Sequence, residues 1–77
     1  MNIRPELEEF ALAMEQILRK HDDSKRNSWV DPSFTIWECL ERVEDELGEY
    51  YASNNPDELL DAANFIFFAW YKRRISQ

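Results

Sequence analysis

Apolar residues recur at helical spacing in three blocks, and the stretches between them carry the punctuation that ends helices. In the first block Leu7, Phe10, Ala11, Met14, Ile17 and Leu18 step by three and four after Pro5. Proline's fixed φ suits a first helical turn, so the pattern predicts a helix over about 5–20. The loop "HDDSKRNSWVDP" follows, polar apart from Trp29 and Val30, and closes on Asp31-Pro32 as cap and helix opener. The second block steps by four and three through Ile36, Leu40, Val43, Leu47 and Tyr50, with Trp37 and Tyr51 widening the stripe, which predicts a helix over about 32–52.

"SNNP" then breaks the chain. Asn55-Pro56-Asp57-Glu58 reads as a cap, a first-turn proline and two acids that suit the helix dipole, opening a third helix to about Arg74. Lys72, Arg73 and Arg74 complement its C-terminal end. This helix is apolar on nearly all sides, so it is expected at the centre, covered by the other two and by a second subunit. The expectation is an all-α fold: one domain over 1–77, three helices per chain, and a homodimer or higher homo-oligomer built as a four-helix-type bundle.

Composition narrows the function classes. At 77 residues the chain has a marginal core of its own, which again favours a partner copy. A formal net charge of -7 argues against direct binding to nucleic-acid phosphates and suits divalent cations. Cys39 is the single cysteine, so no disulfide or cysteine cage forms within one chain, and its expected role is a small buried hydrophobe. The start "MNIRPELEEF" lacks the basic-then-apolar pattern of a signal peptide, and no apolar run reaches the roughly 20 residues of a membrane span. A cytoplasmic protein without membrane contact is expected.

Asp61 and Asn64 interrupt the most apolar helix, three residues apart and therefore on one face. A carboxylate there is costly without a partner. The short link between helices two and three makes them antiparallel, so residues equidistant from it lie side by side. Glu49 then faces Glu58, and Glu46 faces Asp61. Taking about 100° per residue from Val43, Glu46 and Glu49 lie on one flank of the helix-two seam, whereas Glu41 and Asp45 point away and Glu44 takes the other flank. Four clustered carboxylates raise one another's pKa unless a cation holds them, and hard oxygen donors suit Mg²⁺ or Mn²⁺. Taken singly, Glu58 also reads as a capping-box partner of Asn55, and Glu46 and Glu49 as a wet helix face.

The run "DELGEY" followed after a turn by "ELLDAANF" resembles the MazG-like group of all-α nucleoside triphosphate pyrophosphohydrolases, whose hallmark is Glu-x-x-Glu on one helix and Glu-x-x-Asp on the next. The motifs here are Glu46-Leu47-Gly48-Glu49 and Glu58-Leu59-Leu60-Asp61. "DAANF" is similar to the "DVANF" of phage and archaeal members, and "KHDDSKRNSW" to their segment ahead of helix two. The span between Glu49 and Glu58 is about one turn shorter on each side than the family's, which keeps the facing register and selects Glu46 and Glu49 over Glu41 and Glu44.

The resemblance implies that Glu46, Glu49, Glu58 and Asp61 ligate Mg²⁺ or Mn²⁺, with Glu46 or Glu49 activating a water that attacks between the α and β phosphates of a nucleoside triphosphate. Products are a nucleoside monophosphate and pyrophosphate. Asn64 would hydrogen-bond the ligand or the cation's hydration shell, Lys25 and Arg26 would meet phosphates, His21 phosphate or sugar, and Trp29 would stack on the base. The alternative class is a non-catalytic acidic helical binding protein, either a nucleotide-binding relic or sponge or an inhibitor of a nucleic-acid-binding partner. A charge mimic needs exposed carboxylates, and Asp61 lies in an apolar helix.

Overall fold

The computed structural model describes the backbone of residues 2–25 and 28–75 and the side chains of residues 2–21 and 29–75. Three α-helices follow one another, α1 (Pro5–Lys25), α2 (Ile36–Ser53) and α3 (Pro56–Ile75), with one 3₁₀ turn, Ser28–Val30, between the first two. No strand occurs among the described residues, so the chain is all-α as its periodicity implies.

Two helix ends differ from the sequence expectation. α1 continues five residues past Lys20. A polar turn with no breaker can extend a helix without burying anything, and apolar spacing carries no signal for it. The extension matters for His21, which falls three and four residues after Leu18 and Ile17 and so shares their face. α2 opens later than Asp31-Pro32 suggests. Its N-cap is Thr35, whose hydroxyl accepts from the Glu38 N–H at 3.2 Å while the Glu38 carboxylate takes the Thr35 N–H at 3.3 Å, a reciprocal capping box. Asp31 instead accepts from the Ser33 N–H at 2.9 Å and shapes the preceding turn.

Between α2 and α3 only Asn54 and Asn55 are left outside helix. Asn54 takes the left-handed conformation (φ 59°) and sends its N–H to Tyr50 O at 2.7 Å, a C-cap geometry that asparagine tolerates better than most residues. Asn55 Oδ1 accepts from the Asp57 N–H at 3.0 Å and starts α3. So short a link allows little slippage, and the two helices run back antiparallel with a fixed register.

α3 packs along both α2 and α1, as expected of the central helix. Cys39, Phe68 and Ala69 are buried, and Leu18, Trp29, Phe34, Ile36, Phe65 and Phe67 pack around them, so every element contributes to one small core. Cys39 is the most enclosed side chain of that core, the role its isolation suggested. On α2 the inward line is Ile36, Cys39, Val43, Glu46 and Tyr50, whereas Leu40, Trp37 and Tyr51 stay exposed. α3 likewise leaves Leu59, Ile66 and Trp70 open, seven and four residues apart on one stripe. The accessible surface is 6336 Å². A monomer of this mass is expected to expose about 5,000 Å². The fold therefore keeps about 1,300 Å² more surface than a self-sufficient domain, with Trp37, Leu40, Tyr51, Leu59, Ile66 and Trp70 open on it. No described helix is long and apolar enough to cross a membrane.

Because the cap of α2 is Thr35, Thr35→Ala is expected to lower stability by about 1 kcal/mol, and Asp31→Ala by less than half of that, in urea unfolding followed by circular dichroism. The reverse order would place the helix start back at Asp31-Pro32.

Candidate metal centre

The fixed register of α2 and α3 brings three of the four expected acids to one point. One carboxylate oxygen from each of Glu46, Glu58 and Asp61 lies within 4.8 Å of the others. Glu46 is only 7 % exposed, while Glu58 and Asp61 are half-buried. Glu49 is exposed at the rim of the group, close enough to hydrogen-bond both Glu46 and Glu58. Glu41, Glu44 and Asp45 are exposed and take no part in the three-acid group.

Burial dominates the electrostatics of Glu46. Desolvation, then hydrogen bonds shared with Glu58 and Glu49, then the charges of Glu49 and Asp61 push its carboxyl up to about 8. For Glu58 the hydrogen bond with Glu46 favours ionisation. The Glu49 hydrogen bond, partial burial and the charges of Glu49 and Asp61 outweigh it, leaving Glu58 raised as well. Asp61 is raised by desolvation; His21 opposes that shift, and Asp57 and Glu49 reinforce it. Arg42 Nη2 sits 3.8 Å from Glu46 Oε1, too long for a hydrogen bond, and its guanidinium lies over the Phe65 ring at 5.2 Å. It does not offset the burial of Glu46. Three neighbouring acids all held above their ordinary range describe a site that a cation would relieve.

The acids open on a cleft of about 790 Å³ running between α1, α2 and α3, within the range of small-ligand sites. Glu46 and Asp61 line it, with His21, Arg42, Asn64 and Phe65 beside them and Trp29, Asp31, Ser33 and Phe34 further along. Asn64 is 4 % exposed. Its Nδ2 donates to Met14 O at 3.3 Å, and since only the amide nitrogen can donate to a carbonyl, Oδ1 is fixed as the other end. That Oδ1 is buried without a hydrogen-bond partner. A buried acceptor left unmatched costs free energy, so a donor or cation in the cleft would be favoured there.

The remaining expected residues fall in different places. His21 reaches the cleft because α1 extends past Lys20, and its charge acts on Asp61. Trp29 lines the cleft, but one ring face is stacked on Phe68 (centroids 4.7 Å, 10° between planes) and Tyr71 meets it edge-on. Its structural duty is to close the end of the helix bundle. Lys25 ends α1 with its side chain outside the described residues, and Arg26 lies outside them altogether. Arg42 and Lys72 escaped the sequence reading. Arg42 carried a signal, four residues ahead of Glu46 on the same face. Lys72 carried none, standing in a basic run at a helix end that reads as a solvated cap; it is in fact 8 % exposed, its Nζ donating to Asp31 O at 3.0 Å.

No family model, curated protein or solved structure matches the chain. The likeness to the MazG-like group therefore rests on the motif residues themselves.

The raised Glu46 has a stability consequence. The fold retains a proton that the unfolded chain gives up above about pH 4.5, so the stability it carries is full in acid and is lost as pH rises toward about 8. Where one proton differs completely between the states the slope is about 1.4 kcal/mol per pH unit. In chelator-treated protein the melting temperature is expected to fall between pH 5 and 8. Glu46→Gln should flatten most of that fall and be the more stable protein at pH 8. Equal slopes in both proteins would show that Glu46 ionises freely in the fold.

Proposed function

We propose that the chain is a Mg²⁺- or Mn²⁺-dependent nucleoside triphosphate pyrophosphohydrolase acting as a homodimer. The observation that carries this reading is the convergence of Glu46, Glu58 and Asp61 at the head of a cleft that also holds the unmatched Asn64 Oδ1. Three carboxylate oxygens within 4.8 Å of one another form a hard-oxygen donor set of the kind that suits Mg²⁺ or Mn²⁺. A charge mimic fits less well, because the acid at the centre of the group is buried.

Glu46, Glu58 and Asp61 would hold the cation, which when bound supplies charge neutralisation for the phosphates and activation of a water at neutral pH. Glu49, exposed beside Glu46 and Glu58, is the carboxylate placed to orient the attacking water and take its proton. Arg42 and His21 add positive charge along the path of the phosphate chain. Asn64 Oδ1 lies just under the cleft surface as an unmatched acceptor, and since phosphate oxygens offer no donor, a shift that opened it would let it meet a sugar hydroxyl or a base N–H. The aromatic end of the cleft at Trp29 and Phe34 would receive the base.

A panel of nucleoside triphosphates with Mg²⁺, assayed for pyrophosphate, tests the reading. Glu46→Gln and Asp61→Asn should each lose at least a hundredfold in turnover, because a lost ligand misplaces both the cation and the geometry of attack. Glu41→Gln should stay within a few-fold. Millimolar Mg²⁺ or Mn²⁺ should raise the wild-type melting temperature and leave that of Asp61→Asn unmoved. A folded wild type that releases no pyrophosphate from any triphosphate would end the enzyme reading.

The second subunit rests on the open apolar stripes of α2 and α3. Covering about 1,300 Å² on each of two chains makes an interface of about 2,600 Å², within the range of obligate homodimers. Pairing α2 and α3 with their copies across a two-fold axis would complete a four-helix bundle. Light scattering at micromolar concentration should give twice the chain mass, and Ile66→Glu should reduce it to one. A wild-type monomer at that concentration would refute the pairing.

A further inference from the structure

We propose that Lys72 is a positioning residue for the cleft, tying down the aromatic wall that faces the part of the ligand remote from the metal centre. The proposal rests on the nucleotide reading for the ligand and on the geometry of α3 for the tie. The wall is the segment from the 3₁₀ turn to the start of α2, and it presents Trp29, Asp31, Ser33 and Phe34 to the cleft. Its own turn is closed by the Phe34 N–H on Asp31 O at 3.0 Å and the Ser33 N–H on Asp31 Oδ1 at 2.9 Å, and what ties that turn to the bundle comes from the last turns of α3. Trp29 stacks on Phe68 and meets Phe67 and Tyr71. Lys72 does the rest, donating from Nζ to Asp31 O at 3.0 Å while the same ammonium lies 5.6 Å from the centre of the Phe34 ring.

Burying an ammonium is unfavourable unless its partners are specific, and this one spends its charge on a backbone carbonyl and a ring face of one short segment. A lysine needed only to complement the helix end would stay at the surface, as the exposed Arg73 and Arg74 do beside it. The ammonium bridges Asp31 and Phe34, the two ends of that self-closed turn, and so anchors the turn as a unit to α3. α3 thereby carries the two ends of the cleft on one rigid rod, with Glu58, Asp61 and Asn64 in its first half and the hold on the wall in its last turns. Ligand affinity at the aromatic end should depend on Lys72, and chemistry at the carboxylate end should not.

Lys72→Met keeps the length and apolar stem of the side chain while removing the ammonium, so the helix is expected to fold; Lys72→Gln repeats the comparison should the methionine variant not fold. Amide hydrogen exchange over 29–35 should quicken at least tenfold in Lys72→Met with the centre of α3 unchanged. For the nucleoside triphosphate that the wild type turns over best, KM should rise about tenfold with kcat within twofold. Inorganic tripolyphosphate, which has no base to meet the wall, should inhibit both proteins equally, and Lys72→Arg should recover most of the KM. An unchanged KM, or equal weakening of tripolyphosphate, overturns the proposal. A wild type that neither turns over a triphosphate nor binds tripolyphosphate removes the nucleotide reading, and the exchange measurement then decides the tie by itself: unchanged protection of 29–35 in Lys72→Met refutes it.

Discussion

The burial of the Glu46 carboxyl against α3 is the constraint on which the rest of the structure turns. At that position on the inward line of α2, between Val43 and Tyr50, a leucine would satisfy the pattern and strengthen a core that has few fully enclosed side chains. The chain instead places an acid there and faces it with Glu58 and Asp61. The expense is one that a domain this small can ill sustain. A fold meets such an expense where the group does something that an apolar residue cannot, and a raised, convergent set of carboxylates is a common signature of sites that work on charged ligands.

What makes the arrangement reproducible is the link at Asn54 and Asn55. A long loop would let α3 slide along α2 by a turn, about 5.4 Å, enough to separate Glu46 from both of its partners. Two residues, one left-handed and one capping the next helix, leave almost no freedom. The same rigidity explains why core and acids occupy different ends of the bundle. Near the link the facing positions carry carboxylates, and further along they become Cys39, Phe65, Phe68 and Ala69. The cleft lies where one lining gives way to the other.

Much of this was legible in the sequence because the signals were local. Pro5 and Pro56, the stepping of the apolar residues and the short link set the helices and their antiparallel order, and counting outward from the link put Glu46 opposite Asp61. The errors share a cause. Asp31-Pro32 and Thr35-x-x-Glu38 both read as helix starts; the chain uses the second, and Asp31 instead heads a turn whose carbonyl accepts from the Phe34 N–H and from Lys72 Nζ, 41 residues away. The last turn of α1 has no apolar residue to announce it. Lys72 itself shows how little composition says about burial, since its neighbours Arg73 and Arg74 are of the same kind and stay exposed. Leu40 was placed on the inward line when Cys39 holds it, because the pattern of large apolar residues on α2 reads two faces at once.

Those two faces lead back to the question of completeness. On α2 the two buried side chains are Cys39 and Glu46, small or charged, while the large side chains Trp37, Leu40 and Tyr51 point outward. On α3 Asn64 and Lys72 are buried beside Ala62, Phe68 and Ala69, while Leu59, Ile66 and Trp70 point outward. A domain that buries three polar side chains and leaves these large apolar ones open covers less of its apolar surface than a self-sufficient monomer does. The arrangement is coherent if hydrophobic stabilisation that the cleft and its acids displace from the inner side is supplied on the outer side by a second copy. Site and subunit contact would then be two faces of the same pair of helices, the outer one offsetting the instability that the inner one introduces.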